Sequence, residues 1–220
     1  MIQFEDVTKR YADTGDIALS HASFHMLPGE MAFLLGESGS GKTTLLRLLL
    51  RELMAEEGTI LVNGQDISRI TRGKLPAYRR KIGYVFQDFQ LLRKADVYEN
   101  VAIARRIAGA KERDIRVQVT MALRMVGLEH DFYRPVSELS GGEQQKVCIA
   151  RAIVSNPCCI LADEPTGNLD PLQAREIMLL LERIHEHGVT TLIATHDRQA
   201  IRDMNHRHLY LAGGRLQSGE

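Results

Sequence analysis

The chain has 220 residues, 44% hydrophobic and 25% charged, with 28 Lys and Arg balanced against 28 Asp and Glu. That length suits one large domain or a core carrying an inserted subdomain, and the zero formal net charge argues against a dedicated binder of nucleic acid or anionic lipid. No basic segment followed by an apolar core opens the sequence, and Arg47 or Arg151 interrupts the longest apolar runs well short of a membrane span, so a soluble cytoplasmic chain is expected.

Residues 1 to 30 alternate polar and apolar, as in Ile2-Gln3-Phe4-Glu5-Asp6-Val7, and Pro28-Gly29 supplies a turn, which predicts antiparallel β structure. Met31-Ala32-Phe33-Leu34-Leu35 is an apolar run of strand length. It leads into Gly36-Glu37-Ser38-Gly39-Ser40-Gly41-Lys42-Thr43, which fits G-x-x-x-x-G-K-[ST], and a helical pattern from Thr44 to Leu50 leaves it. Glycines let successive backbone N–H groups turn around an anion, and the following helix adds its positive end. In such a cradle Lys42 reaches the β- and γ-phosphates of a nucleotide and the Thr43 hydroxyl ligates Mg²⁺.

Gly58 to Gly64, with Thr59, Ile60 and Val62 ahead of Asn63-Gly64, predicts a further strand and turn of the small sheet. Another strand is expected over Ile82 to Phe86, ending at Gln87. From about 88 to 157 helical patterns replace strands. Val97, Val101, Ala104 and Ala108 mark one helix, and a second is expected from Arg113 to Val126, stopped by Gly127. This stretch reads as an inserted helical subdomain of a single domain whose core is 1–87 and 158–220.

Strand character returns at Cys158-Cys159-Ile160-Leu161-Ala162, a run without polar residues, as expected of a strand covered on both faces. Ala174, Ile177, Leu181 and Ile184 give the buried face of a helix, and Thr190 to Thr195 another strand. Strands alternating with helices indicate a parallel α/β core. Cys148, Cys158 and Cys159 lack metal-ligand spacing and suit reduced core residues. His206 and His208 are expected at the surface and lack partners that would argue for metal.

Two further constellations carry chemistry. Asp163-Glu164 closes a strand, and acids at the carboxyl end of a parallel strand face the ligand crevice. Asp163 there fits a water-mediated partner of Mg²⁺, and Glu164 a group that polarises a water attacking the γ-phosphate. Leu139-Ser140-Gly141-Gly142-Glu143-Gln144 precedes a helical run; Ser140 can cap that helix, whose free N–H groups form a second anion-binding end.

The six residues Leu139 to Gln144, between the phosphate loop and the Asp163-Glu164 strand, resemble the signature of the ATP-binding-cassette ATPases. The resemblance covers essentially the whole chain. It implies a P-loop NTPase fold of RecA-like parallel core, a small antiparallel β subdomain and an inserted helical subdomain. It further implies that Tyr11, 25 residues before Gly36, stacks on adenine, with the alternative of a half-buried strand residue. Gln87 would touch Mg²⁺ and the attacking water, and His196 would contact the γ-phosphate. Nucleotide contacts would come from Gly36 through Thr44 and, through Asn168-Leu169-Asp170, from Asp170. ATP and Mg²⁺ are thus the implied cofactors.

In that family two cassettes close head to tail on ATP, so a single copy of each motif implies a homodimer in which Ser140, Gly141 and Gly142 complete the other subunit's site. It also implies an integral membrane partner, held near Phe89 to Arg105, with the chain peripheral on the inner face of the cell membrane. Val85 to Leu92, Val97 to Ala102 and Asp163 to Asp170 are similar to the bacterial cell-division branch. Members driving lipoprotein release or macrolide export share Gly167 to Asp170 and stay open as alternatives. A soluble cassette acting on DNA or ribosomes would carry tandem cassettes or a coiled coil, and a small-molecule kinase would lack Leu139 to Gln144.

Overall fold

The computed structural model describes residues 1–11 and 15–218. Two sheets organise them. A four-stranded antiparallel sheet, in the order β2-β1-β4-β5, is formed by β1 (Ile2–Arg10), β2 (Ile17–Met26), β4 (Glu57–Val62) and β5 (Gln65–Asp66). The second has six strands in the order β10-β9-β3-β8-β7-β6: β3 (Met31–Leu35), β6 (Ile82–Val85), β7 (Cys159–Asp163), β8 (Thr190–Thr195), β9 (Arg207–Ala212) and β10 (Arg215–Ser218). All its pairings are parallel except the terminal hairpin of β9 and β10.

The central strands are buried on both faces, and their side chains divide accordingly. Met31, Phe33 and Leu35 of β3, with Ile160 and Ala162 of β7, join one apolar cluster; Ala32 and Leu34, with Cys159 and Leu161, join another. The first cluster takes the apolar faces of α3 (Val97–Ile107), α4 (Glu112–Val126), α5 (Gly141–Ile153) and α6 (Pro171–Glu186). The second takes α1 (Lys42–Leu49), α2 (Leu75–Arg79) through Tyr78, and the inner face of the antiparallel sheet, including Ile2, Phe4 and Ile60. The six-stranded sheet is therefore the middle layer.

Local chemistry sets the helix ends. Asp96 caps α3 by accepting from the Glu99 N–H at 2.8 Å, and Gly127 ends α4 in the left-handed region at φ 74°. Ala108, expected inside α3, follows it as its C-cap. Asp170 caps α6 ahead of Pro171, whose missing N–H is no loss at a first helical position. In α1 the N-cap is Gly41, which has no side chain to offer, so the first N–H groups of that helix stay available to an outside acceptor.

The parallel register brings the carboxyl ends of the strands level. Leu35 pairs with Thr195 and with Tyr210, Asp163 pairs with Ala194, and Val85 with Ala162. Whatever follows those residues lies along one edge, where open α/β sheets bind ligands. The β9–β10 hairpin was not anticipated from the sequence. Its polar residues Arg207, His208 and Arg215 obscure the strand pattern, yet β9 lies directly beside β3.

The hairpin also corrects the expectation for two histidines. His206 and His208 are half-buried, not surface residues. His206 Nε2 lies 3.1 Å from Glu182 Oε1, and both imidazoles pack on Phe33 with ring centroids 6.0 and 5.8 Å away. Pairing of β9 with β3 draws this polar segment against the core, which local composition could not reveal.

Candidate functional site

A cleft of about 500 Å³ opens on the carboxyl edge, lined by Tyr11, Asp16, Ile17, Ala18, the loop before α1, Gln87, Glu164 and His196. A neighbouring hollow of about 670 Å³ continues it past Gly36 and Ser40 to Arg198 and Tyr210. Each functional side chain arrives from the end of a different element: the glycine loop from β3, Gln87 from β6, Asp163 and Glu164 from β7, His196 from β8.

The loop's glycines answer to steric demand. Gly41 sits at φ 109°, and a Cβ there would lie 2.3 Å from the Ala18 carbonyl oxygen. A Cβ on Gly36 would come within 2.4 Å of the carbonyl of Leu211, on the unforeseen strand β9. Any side chain at either position would force the loop open.

Lys42 points back into its own loop. Its ammonium donates to the carbonyls of Gly36 at 2.7 Å and Glu37 at 3.1 Å, and stands 3.2 Å from Glu164 Oε1. Lysine is rarely this buried, at 5% exposure, without such company. The ammonium thus sits inside a ring of backbone where a phosphate oxygen could exchange for the carbonyls.

Thr43 donates its hydroxyl to Asp163 Oδ1 at 3.2 Å, and the Tyr84 hydroxyl donates to Oδ2 at the same distance. Burial raises the Asp163 pKa above the usual carboxylate range, against the two hydrogen bonds that lower it. Burial, with Asp163 beside it, pushes the Tyr84 phenol far up. A buried carboxylate beside a threonine hydroxyl, at the edge of a cleft that Gln87 also lines, offers oxygen donors suited to a hard divalent cation such as Mg²⁺. No group of three or more His, Cys, Asp or Glu able to hold a metal occurs among the described residues.

Glu164 is held in a left-handed conformation, φ 46°, and is 8% exposed. Its Oε2 accepts from the His196 backbone N–H at 3.2 Å and faces His196 Nδ1 at 2.9 Å. Lys42 on one oxygen and His196 on the other fix the carboxyl group at the cleft wall. Tyr11 places its hydroxyl 2.9 Å from Thr44 Oγ1, leaving the ring as part of the lining.

Of the sequence-predicted residues, Tyr11, Gly36 through Thr44, Gln87, Asp163, Glu164 and His196 come together here. Ser140, Gly141, Gly142 and Asp170 line neither hollow among the described residues. Ser140 begins α5 with a capping box: its hydroxyl accepts from Glu143 N at 3.3 Å, while Glu143 Oε2 accepts from Ser140 N at 2.7 Å. Arg134 buttresses Glu143 at 2.8 Å. Asp170 is engaged by the Leu172 and Gln173 N–H groups at 3.0 and 2.9 Å.

Sequence reasoning missed Tyr84, although its strand was identified; only the sheet order, which sets β6 beside β7, brings it to Asp163. Asn168, which donates to the Gln87 carbonyl at 2.9 Å, was noted only as part of a motif.

Residues 19–167 match the family model described as ABC transporter. Among curated proteins, the chain is 48% identical over 219 residues to the cell division ATP-binding protein FtsE of Escherichia coli K12, covering 100% of this chain and 98% of that one. It is 46% identical over 220 residues to the protein of that name from Streptococcus pneumoniae, covering 100% and 95%. Among solved structures it resembles a dimeric bacterial ABC transporter cassette at 34% identity, TM-score 0.89, covering 100% of this chain and 98% of that one. A post-hydrolysis dimer of that cassette bound to ADP and Pi matches at 33% identity and TM-score 0.88, with the same coverage. A family match over most of the chain, with close relatives along its whole length, establishes that the chain belongs to the ABC transporter family, as an ATP-binding and ATP-hydrolysing cassette.

Proposed function

We propose that the chain drives a bacterial cell-division complex: two copies close head to tail around ATP, and hydrolysis reopens them to move an FtsX-like integral membrane partner. One observation carries the reading. Lys42, Thr43, Gln87, Glu164 and His196 share one cleft edge with Asp163, while Ser140, Gly141 and Gly142 start a helix outside it. A site so divided asks for a second copy, whose Ser140 to Gly142 close over the nucleotide. The 42–48% identity to FtsE proteins of several bacteria supports the cell-division assignment.

Tyr11 stacks on the adenine. The N–H groups from Gly36 to Thr44 cradle the phosphates, and Lys42 exchanges the Gly36 and Glu37 carbonyls for β- and γ-phosphate oxygens. Thr43, Gln87 and Asp163 would hold Mg²⁺, which when bound would supply positive charge to the phosphates. Glu164 orients the attacking water and accepts its proton, His196 contacts the γ-phosphate, and Asp170 borders the joint with the second copy.

Residues 88–157 act as the helical arm that carries the motion, and Phe89 to Arg105 border the groove for a cytoplasmic helix of the partner. None of the described helices is long and apolar enough to cross a membrane. On this reading the chain works from the inner membrane face through its partner, as the FtsE relatives suggest.

Glu164→Gln tests the assignment. The substitution keeps the hydrogen bonding to His196 but removes the base, so turnover falls by roughly 10² to 10⁴ while ATP still binds, and ATP-driven dimers accumulate in gel filtration. Near-normal hydrolysis by the homogeneous variant removes Glu164 from the role. For the partner, recovery of nucleic acid and no integral membrane protein from detergent-solubilised membranes rejects the cell-division reading.

A further inference from the structure

Just beyond Gln87 the backbone does something its residues disfavour. Phe89 and Gln90 both occupy the left-handed region, with φ 58° and 47°, a conformation that a Cβ makes costly and that glycine would adopt freely. Two such residues in succession persist only where the surroundings over-determine them.

The Gln90 N–H closes a tight turn onto the Asp88 carbonyl at 2.6 Å, and from α5 the pair is gripped chiefly by one side chain. Arg151, in the last turn of α5, donates from Nη1 to the Gln90 carbonyl at 2.7 Å and from Nη2 to the Phe89 carbonyl at 2.8 Å. The Cys148 thiol, nearly one turn earlier, adds a contact to the Phe89 carbonyl at 2.9 Å. A planar guanidinium can satisfy two adjacent carbonyls at once; an ammonium has no such fork.

The segment is also fastened on either side. Asn168 holds the Gln87 carbonyl, and the fully buried Asn100 of α3 brackets Leu92, accepting from its N–H at 2.7 Å and donating to its carbonyl at 3.2 Å. Between these anchors only the Arg151 fork and Cys148 grip the strained pair from α5. That helix begins at Ser140, so its two ends meet two different parts of the site.

We infer that Arg151 is a positioning residue for ATP hydrolysis: by clamping Phe89 and Gln90 in left-handed backbone it keeps Gln87 seated in the cleft and ties that seat to α5. The inference rests on the role given above to Gln87 and extends it to a residue that touches neither nucleotide nor cleft. Loss of the fork lets the pair relax to ordinary φ, which rotates the chain between Asn168 and Asn100 and withdraws the Gln87 amide.

The test uses the full chain with Mg²⁺ and ATP, measuring kcat, KM, nucleotide affinity and thermal melting. Arg151→Met keeps the apolar stem and removes the fork; kcat falls roughly 10- to 100-fold, the cost of misplacing a group by about an ångström, with nucleotide affinity unchanged. Arg151→Lys recovers a minor part. Adding Gln90→Gly to Arg151→Met recovers much of the lost turnover, since glycine holds the left-handed φ without a clamp. A role confined to stability would lower the melting temperature without this split between kcat and affinity.

Wild-type kcat in Arg151→Met, alongside a large loss in Gln87→Ala, overturns the inference and leaves the role of Gln87 standing. Failure of Gln90→Gly to recover any turnover overturns it as well. Wild-type kcat in Gln87→Ala removes the Gln87 role itself, and the inference with it. Should Arg151→Met not fold, Arg151→Lys with and without Gln90→Gly reads the same effect.

Discussion

Two glycine-rich turns open helices in this molecule, and they are built on opposite principles. The turn before α1 is shaped by its own chain: carbonyls of Ala18 and Leu211 stand 2.3 and 2.4 Å from where side chains at Gly41 and Gly36 would begin, and Lys42 folds back to fill the ring. The turn before α5 is not so confined. Ser140 is exposed and capped within its own first turn, and the nearest obstacle to a side chain at Gly142 is the movable tip of Gln173, at 2.7 Å. Nothing in the chain itself demands glycine at 142 as it does at 41. Small residues at that turn fit the close approach of a second copy proposed above.

The widest separation between the two turns should come from mixing inactive subunits. Lys42→Ala disables a cradle and Ser140→Arg blocks a signature end, so homodimers of either are dead. Mixed one to one, they form heterodimers with one intact composite site, returning about one quarter of wild-type turnover if subunits pair at random. ATPase assays of the separate and mixed proteins check it. A mixture as inactive as its components would mean that the two turns do not serve one site across a dimer.

A smaller effect separates the turns within one subunit. Gly41→Ala imposes a side chain at φ 109° against a backbone carbonyl, a strain of about 1–3 kcal/mol. For a chain of this size each kcal/mol lowers Tm by roughly 2–4 °C, and ATP affinity should drop with it. Gly142→Ala sits inside the first turn of α5, where alanine is the better helix former, so Tm without nucleotide stays level or rises while ATP-driven dimerisation weakens. Equal melting losses in both variants would mean that the two turns are equally confined by their own chain.

The same contrast governs what could be read from the sequence. The cradle, the Asp163-Glu164 pair and Ser140 to Gln144 were legible because each is a contiguous run whose chemistry is local. Strands β3 and β7 were legible because burial on both faces leaves an apolar run, and α4 because Gly127 announces its end. What escaped depends on register and sheet order. Tyr84 reaches Asp163 only because β6 neighbours β7, and Leu211 shapes Gly36 only because β9 lies beside β3. The left-handed Phe89 and Gln90 run against local preference, and their carbonyls meet Arg151 of α5, contacts 62 and 61 residues apart in the chain that no local pattern reveals.

The finest distinction concerns charge at the capped turn. Glu143 accepts from Ser140 N and from Arg134, and the backbone hydrogen bond from Ser140 leads the causes that hold its carboxyl below its ordinary value of 4.5. A carboxylate whose folded pKa is depressed adds stability above the unfolded value and loses it as pH falls through the folded one. Glu143→Gln keeps the shape and gives up the charge. At pH 7 the variant should be less stable by about 0.5–1 kcal/mol, the usual scale of a helix cap. The gap in Tm should begin to narrow as the pH falls below about 4.5, the ordinary value, and close only below the depressed folded value, where the native carboxylate itself takes up a proton. Added salt should narrow it too, because Arg134 and Glu143 are partly exposed and screened. A gap independent of both pH and salt would mean that packing, and not the charged capping box, sets the entrance to α5.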